Sequence, residues 1–173
     1  MNIFELKIWD NESVKCTFYT VHNEGYEENE TDDFFQKYYE LDQYKEQTQI
    51  LLNFILDAIG NKHGAVDDFF NRHENQVDGL PSKGKIKLGE FKYFYPNFPL
   101  RIYALKINEN LVILFNGGIK DGKTNQESSL HLKWSEACNY AKRILEALQD
   151  GTIQVDEDNN RLINFDGSSS IFL

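Results

Sequence analysis

The fold turns on residues 100–120: Leu100-Arg101-Ile102-Tyr103-Ala104-Leu105-Lys106-Ile107, then Asn108-Glu109-Asn110, then Leu111-Val112-Ile113-Leu114-Phe115-Asn116-Gly117-Gly118-Ile119-Lys120. Two strand-like apolar runs, Leu100–Ile107 and Leu111–Phe115, flank a three-residue polar link, which predicts neighbouring strands. The asparagines of that link tolerate positive φ, so the connection reads as a tight hairpin. Asn116, Gly117 and Gly118 predict that the second strand ends in a bulge or a close backbone approach just before Ile119 and Lys120. Alternation along the first strand puts Arg101 and Tyr103 on one face, away from Ile102 and Ala104.

Working outward, Ile86–Tyr95 predicts a third adjacent strand, entered through a turn at Gly79, Pro81 and Ser82. Ser129–Gln149 carries Ala137, Ala141, Ile144, Leu145 and Leu148 at helical spacing, with Gly151 as its stop. Residues 152–173 read as a hairpin around Asp156–Asn160 and a serine-rich tail. On the amino-terminal side, Ile3–Trp9 and Val14–Val21 alternate as an opening hairpin, with Phe4, Leu6 and Ile8 expected in the core. The acidic run Glu24–Asp33 follows, with Asn29 and Thr31 as caps for a short helix bearing Phe34, Phe35, Tyr38 and Tyr39. A firmer helix is expected over Gln47–Ile59 with Gly60 as its stop, and a shorter one over Ala65–Phe70. No internal repeat or heptad pattern occurs. The expected fold is one α+β domain over residues 1–173, a mostly antiparallel sheet packed by helices.

With 173 residues, 40% of them hydrophobic and 14% aromatic, the chain can bury one core and is not a disordered protein. A mean hydropathy of −0.56 and the absence of a long apolar run argue against membrane insertion. The first residues lack the basic and apolar regions of a signal peptide, and Cys16 and Cys138 fit neither a zinc spacing nor a disulfide framework. A cytoplasmic protein with reduced thiols is expected. No phosphate-binding glycine loop, paired-histidine motif or nucleophile elbow is present. His22, His63 and His73 are scattered, so neither a metal nor a cofactor is expected.

The net charge of −10 argues against a general nucleic-acid binder, but the charge is segregated. Residues 1–80 hold 6 basic and 17 acidic side chains, whereas residues 81–150 hold 11 and 7. Lys83, Lys85, Lys87 and Lys92 precede the hairpin, Arg101 and Lys106 lie on it, and Lys120 and Lys123 follow it. Such a cluster can neutralise phosphates, and the interleaved Phe91, Tyr93, Phe94, Tyr95 and Tyr103 can stack on unpaired bases. Solvated strand faces with core aromatics write the same text, so both readings stand at this point.

The arginine-bearing strand, tight turn, aliphatic strand and following lysine, succeeded by an alanine-rich helix with Ala137, Ala141 and Ala147, resemble the RelE/ParE/HigB superfamily of bacterial toxins, in particular the phage-derived HigB-like branch. The resemblance covers about residues 80–148; it implies a RelE/ParE-like core at about 80–150 with extensions at 1–79 and 151–173. It further implies a metal-independent mRNA endoribonuclease in which the ribose 2′-hydroxyl attacks the adjacent phosphate. Arg101 matches the strand arginine that stabilises the phosphorane, and its planar fork suits that role. Lys120 matches the basic residue after the aliphatic strand, with Lys123 as its companion, for phosphate holding or proton donation. Lys85 and Lys87 match the basic positions before the sheet, with Lys106 a further substrate contact. Tyr103 shares the face of Arg101, and His131, at the start of the last helix, is a candidate general base. The implied partners are a cognate antitoxin protein, the ribosome and its mRNA.

Each of these residues has a plainer role open to it: an ion pair for Arg101, half-buried packing for Tyr103, a solvated helix start for His131. Asp67 and Asp68 are adjacent and make no acid/base dyad. The acidic run is either a solvated loop or a contact that competes for the cations of the basic half. The chain-wide charge supports a different function, a non-enzymatic acidic binding protein such as a phage or mobile-element inhibitor imitating nucleic acid. A toxin-like fold without catalysis is the remaining alternative.

Overall fold

The computed structural model describes residues 2–71, 76–120 and 129–173. Its organising element is a six-stranded sheet made of β1 (Phe4–Asp10), β2 (Thr17–Asn23), β3 (Val77–Leu80), β6 (Leu100–Asn108), β7 (Leu111–Ile119) and β10 (Ile171–Phe172), in the order β10-β1-β2-β7-β6-β3. Every pairing is antiparallel except β2 with β7, where Thr17, Phe18, Tyr19 and Thr20 run parallel to Leu111, Val112, Ile113 and Leu114. The predicted hairpin therefore lies inside the sheet, between β2 and the edge strand β3. Its two strands are covered on both faces, which is why β7 is a continuous apolar run rather than an alternating one. The architecture is α+β with a mostly antiparallel sheet, as the patterning indicates.

On one face lie α1 (Glu30–Tyr39), α2 (Lys45–Asn53), a π-helical segment Phe54–His63 continuing α2, and a two-stranded ribbon of β4 (Ile86–Leu88) and β5 (Phe91–Tyr93). They enclose a core with Phe18, Phe34, Phe54, Ile59, Leu100, Ile102 and Leu114. On the other face, α3 (Ser129–Gln149) and the hairpin β8 (Ile153–Asp156)–β9 (Arg161–Asn164) enclose Phe4, Leu6, Val21, Leu105, Ile113, Phe115 and Ile144. Asn29 caps α1, its side chain accepting from the Asp32 N–H at 2.8 Å. Thr31 then donates its hydroxyl to the Leu114 carbonyl at 3.2 Å, fixing the start of α1 over β7.

Several elements differ from expectation for local physical reasons. Ile86–Tyr95 is broken at Gly89, whose φ of +60° makes the turn between β4 and β5, so the segment folds on itself and does not join the main sheet. Gly60 does not stop the helix. It allows close packing, since a Cβ there would lie 2.6 Å from Ser13 Oγ, and the helical segment ends at Gly64 with φ +77°. Ala65–Phe70 contains only a three-residue 3-10 turn, Asp67–Phe69. Gly79, read as part of a turn with Pro81 and Ser82, lies instead in the edge strand β3 against β6, and the bend begins after it at Pro81. Ile8 pairs in register with Tyr19 but is 42% exposed, because it lines an open groove beside Arg161 and Leu162 instead of lying under a covering element. The end of the serine-rich tail becomes β10, paired with β1.

Candidate functional site: a cationic hollow at the bulge

The bulge anticipated at Asn116-Gly117-Gly118 builds the site. Ile102 pairs with Gly117 and Ala104 with Leu114, so β7 carries one extra residue at this point. Asn116 is buried, its Oδ1 accepting from the Gly117 N–H at 2.8 Å while its amide donates to Asp33 at 2.9 Å. The close approach is real: a Cβ on Gly117 would run into the Arg101 carbonyl oxygen. Before the bulge, odd-numbered β7 residues pack with α3; after it, Ile119 packs in the opposite core, beside Leu100. The extra residue thus turns Lys120 to the face that carries Arg101 and Tyr103. Lys120 stays in the ladder through its N–H, 2.7 Å from the Pro99 carbonyl oxygen.

Arg101 and Lys120 line one hollow of about 420 Å³. Its remaining wall comes from the segment after β3, namely Pro81, Ser82, Lys83 and Gly84, and from residues 94–98 after β5. The Arg101 side chain crosses β3 at Gly79, where a Cβ would come within 2.9 Å of its Nε. Tyr103 beside it is buried, and burial pushes the ionisation of its hydroxyl up while the arginine's charge draws it down. Tyr103 is therefore a packing residue beside the guanidinium.

Lys120 has its acid–base equilibrium pulled down, first by burial and then by the charges of Arg101 and Lys83. Three cations gathered without an ion pair among the described residues repel one another, and a bound anion relieves that repulsion. Among the described residues no ion pair involves Arg101, Lys120 or Lys83; the four that form are Lys7–Glu5, Lys62–Asp57, Lys106–Asp67 and Lys133–Glu136. Ser82, buried at the wall, adds a hydroxyl.

The other candidates are placed as follows. Lys106 does not face a ligand: it is 2% exposed on the opposite face of β6 from Arg101, with Nζ 2.6 Å from Asp67 and 5.8 Å from the Phe70 ring centroid. Alternation already puts it on the face of Ile102 and Ala104, and the cover of Asp67 and Phe70 over that face makes it a structural cation. Lys85 is exposed with its Nζ 5.3 Å from the centroid of Phe94, a residue of the hollow. Lys87 is exposed on the ribbon opposite Lys92. His131 does not line the hollow; its ring meets Trp134 at 5.8 Å in a tilted pair, one residue after Leu130, whose Cα would lie 3.9 Å from a Cβ on Gly118. Lys123 lies outside the described residues.

Lys83 belongs to the site although the pattern singled it out only as one lysine of a cluster. Its position depends on the edge strand β3, and the only hint was that Gly79-Leu80-Pro81 is as compatible with an edge strand as with a turn. The acidic run does not close the hollow. Asp32 accepts from Trp9 Nε1 at 2.8 Å, Asp33 from Asn116, and Glu30 from Asn23 at 3.0 Å. Among the described residues no group of three or more metal-ligating side chains is gathered, and no helix is long and apolar enough to cross a membrane. Comparison with family models, with curated proteins and with solved structures returns no match to this chain.

Proposed function

We propose that the chain is a RelE/HigB-like toxin of a toxin–antitoxin or phage-related locus, a cytoplasmic RNA endonuclease whose RelE/ParE-like core lies at about residues 80–150. One observation carries this reading: Lys83, Arg101 and Lys120 share a concave site and form no ion pair among the described residues. In the reaction, the 2′-oxygen bonds to phosphorus and the bond to the 5′-oxygen breaks. A 2′,3′-cyclic phosphate and a 5′-hydroxyl result, and the route needs no metal. Arg101 stabilises the charge building on the phosphorane oxygens. Lys120, its ammonium made more acidic by burial and by its cationic neighbours, gives a proton to the departing 5′-oxygen. Tyr103 packs beside the guanidinium, and the 2′-hydroxyl proton passes to solvent water, since His131 does not line the hollow. A cognate antitoxin protein and the ribosome with its mRNA are the proposed partners. Induced expression should arrest growth and cleave transcripts, with Arg101→Ala and Lys120→Ala each relieving both. Unimpaired growth with intact transcripts at verified soluble expression would refute the proposal.

The net of −11 over residues 1–80, with Glu24, Glu27 and Glu28 exposed, favours one second reading: an acidic binding protein, either an inhibitor that imitates nucleic acid or a toxin-like fold without catalysis. Salt-sensitive capture of a nucleic-acid-binding protein, with no RNA cleavage, would select it.

A further inference from the structure

The ribbon β4–β5 has two unlike faces. Its inner side is locked onto the helical layer: Tyr95 stacks on Phe54 at 5.3 Å, Tyr93 meets Phe69 at 5.3 Å, and the Tyr93 hydroxyl lies 2.9 Å from His63 Nε2. The outer side carries Lys85, Lys87 and Lys92, all exposed, and runs into Phe94, which is 49% exposed. None of these lysines enters an ion pair among the described residues. Phe94 is shared between the two surfaces, since it lines the hollow beside Arg101 and Lys120 while Lys85 sits over its ring.

We propose that this outer face is a single-strand binding track, with Phe94 stacking the base next to the phosphate held in the hollow and Lys87 and Lys92 taking the following phosphate. The inference rests on the reading of the hollow as an RNA site and adds a subsite to it. An exposed aromatic ring flanked by cations that form no ion pair among the described residues serves a strand that offers alternating planar bases and phosphates. Lys92 and Phe94 are two residues apart, about 7 Å of extended chain, comparable to one extended nucleotide. A duplex keeps its bases inside the stack and has nothing to lay on Phe94. Because the ribbon is anchored by its inner aromatics, the track is rigid before the strand arrives.

The test uses fluorescence anisotropy on the full chain with 2′-O-methylated oligonucleotides, which cannot be cleaved by 2′-hydroxyl attack. The probes are a single strand, an abasic strand of equal length and a duplex. The single strand should bind best. Phe94→Ala should weaken it about tenfold while leaving the abasic strand unchanged, and Phe94→Trp should restore binding. Lys87→Ala with Lys92→Ala should weaken all probes and lower the salt dependence by one to two phosphates' worth, roughly. Equal loss for base-bearing and abasic strands, or no loss in Phe94→Ala, would overturn the track. So would binding of polyglutamate in place of the oligonucleotides, which would mark the surface as a protein-docking face. Cleavage of unmodified RNA, tested with Arg101→Ala, reports on the hollow separately: cleavage that Arg101→Ala abolishes and Phe94→Ala leaves untouched would sink the track and keep the nuclease.

Discussion

Gly117→Ala should damage both the fold and the site, while Gly118→Ala should damage neither. A Cβ at Gly117 would collide with the Arg101 carbonyl oxygen and lie 2.8 Å from Ile102 Cα, against 3.4–4 Å for ordinary contact. Both obstacles are backbone, so β6 and β7 must part by something near 1 Å at the bulge, and overpacking of that kind costs about 3 kcal/mol. For a chain of this size that lowers Tm by roughly 6–12 °C. At Gly118 the nearest atoms to a Cβ, on Leu130 and Tyr38, lie at 3.6 Å, so alanine there fits without movement. Its expected effect is within about 0.5 kcal/mol. Urea unfolding followed by the fluorescence of Trp9 and Trp134 measures both variants, provided each unfolds in one transition. Arg101 moves with its backbone, so Gly117→Ala should also lower RNA cleavage on the order of 100-fold. If Gly117→Ala were as stable as Gly118→Ala, the close strand crossing would be wrong, and with it the account of how Lys120 reaches the face of Arg101.

Gly79→Ala tests the site without the core: the clash is with the flexible Arg101 side chain, so stability should hold within about 1 kcal/mol while oligonucleotide binding falls. Lys106→Met should be nearly neutral in a thermal melt, whereas Asp67→Ala should cost about 2 kcal/mol by leaving a buried ammonium without its carboxylate; equal effects would contradict the assigned burial. Glu30 has an oxygen, Oε2, buried without a partner, and burial raises its carboxyl above the ordinary value of 4.5 although the nearby Asn116 amide and Lys133 ammonium pull it down. The folded state therefore holds this proton more tightly than the unfolded state, so the stabilisation is full below pH 4.5 and is lost as pH rises through the higher folded value. Glu30→Gln should raise stability at neutral pH and flatten that part of the pH profile; an unchanged profile would show that Glu30 is not desolvated.

Strand alternation located what local chemistry determines. The hairpin, its polar turn, the bulge, α3 and the shared face of Arg101 and Tyr103 all follow from side-chain periodicity and from glycine and asparagine preferences, and the structure has them. What was not legible depends on pairing between distant segments. The partner of β2 is β7, and no property of Thr17–Thr20 specifies a parallel neighbour some ninety residues onward. The same limit hid β3, hence Lys83, and let Lys106 pass for a surface base, because its burial is conferred by the 3-10 turn at Asp67 and by Phe70. The aliphatic β7 could have warned of this, since a strand apolar on every residue has both faces covered, and so does its hairpin partner.

The parallel junction between β2 and β7 also dictates an order of events during synthesis. Until Leu111–Leu114 leaves the ribosome, Thr17–Thr20 has an open row of backbone donors and acceptors, and the opening hairpin is left with two unfinished edges. Such long-range closure folds slowly and leaves nascent chains prone to sticking. Truncations that stop before residue 111 should therefore accumulate as aggregates, and residues 80–150 expressed by themselves should lack the strand that seals one flank of their hairpin.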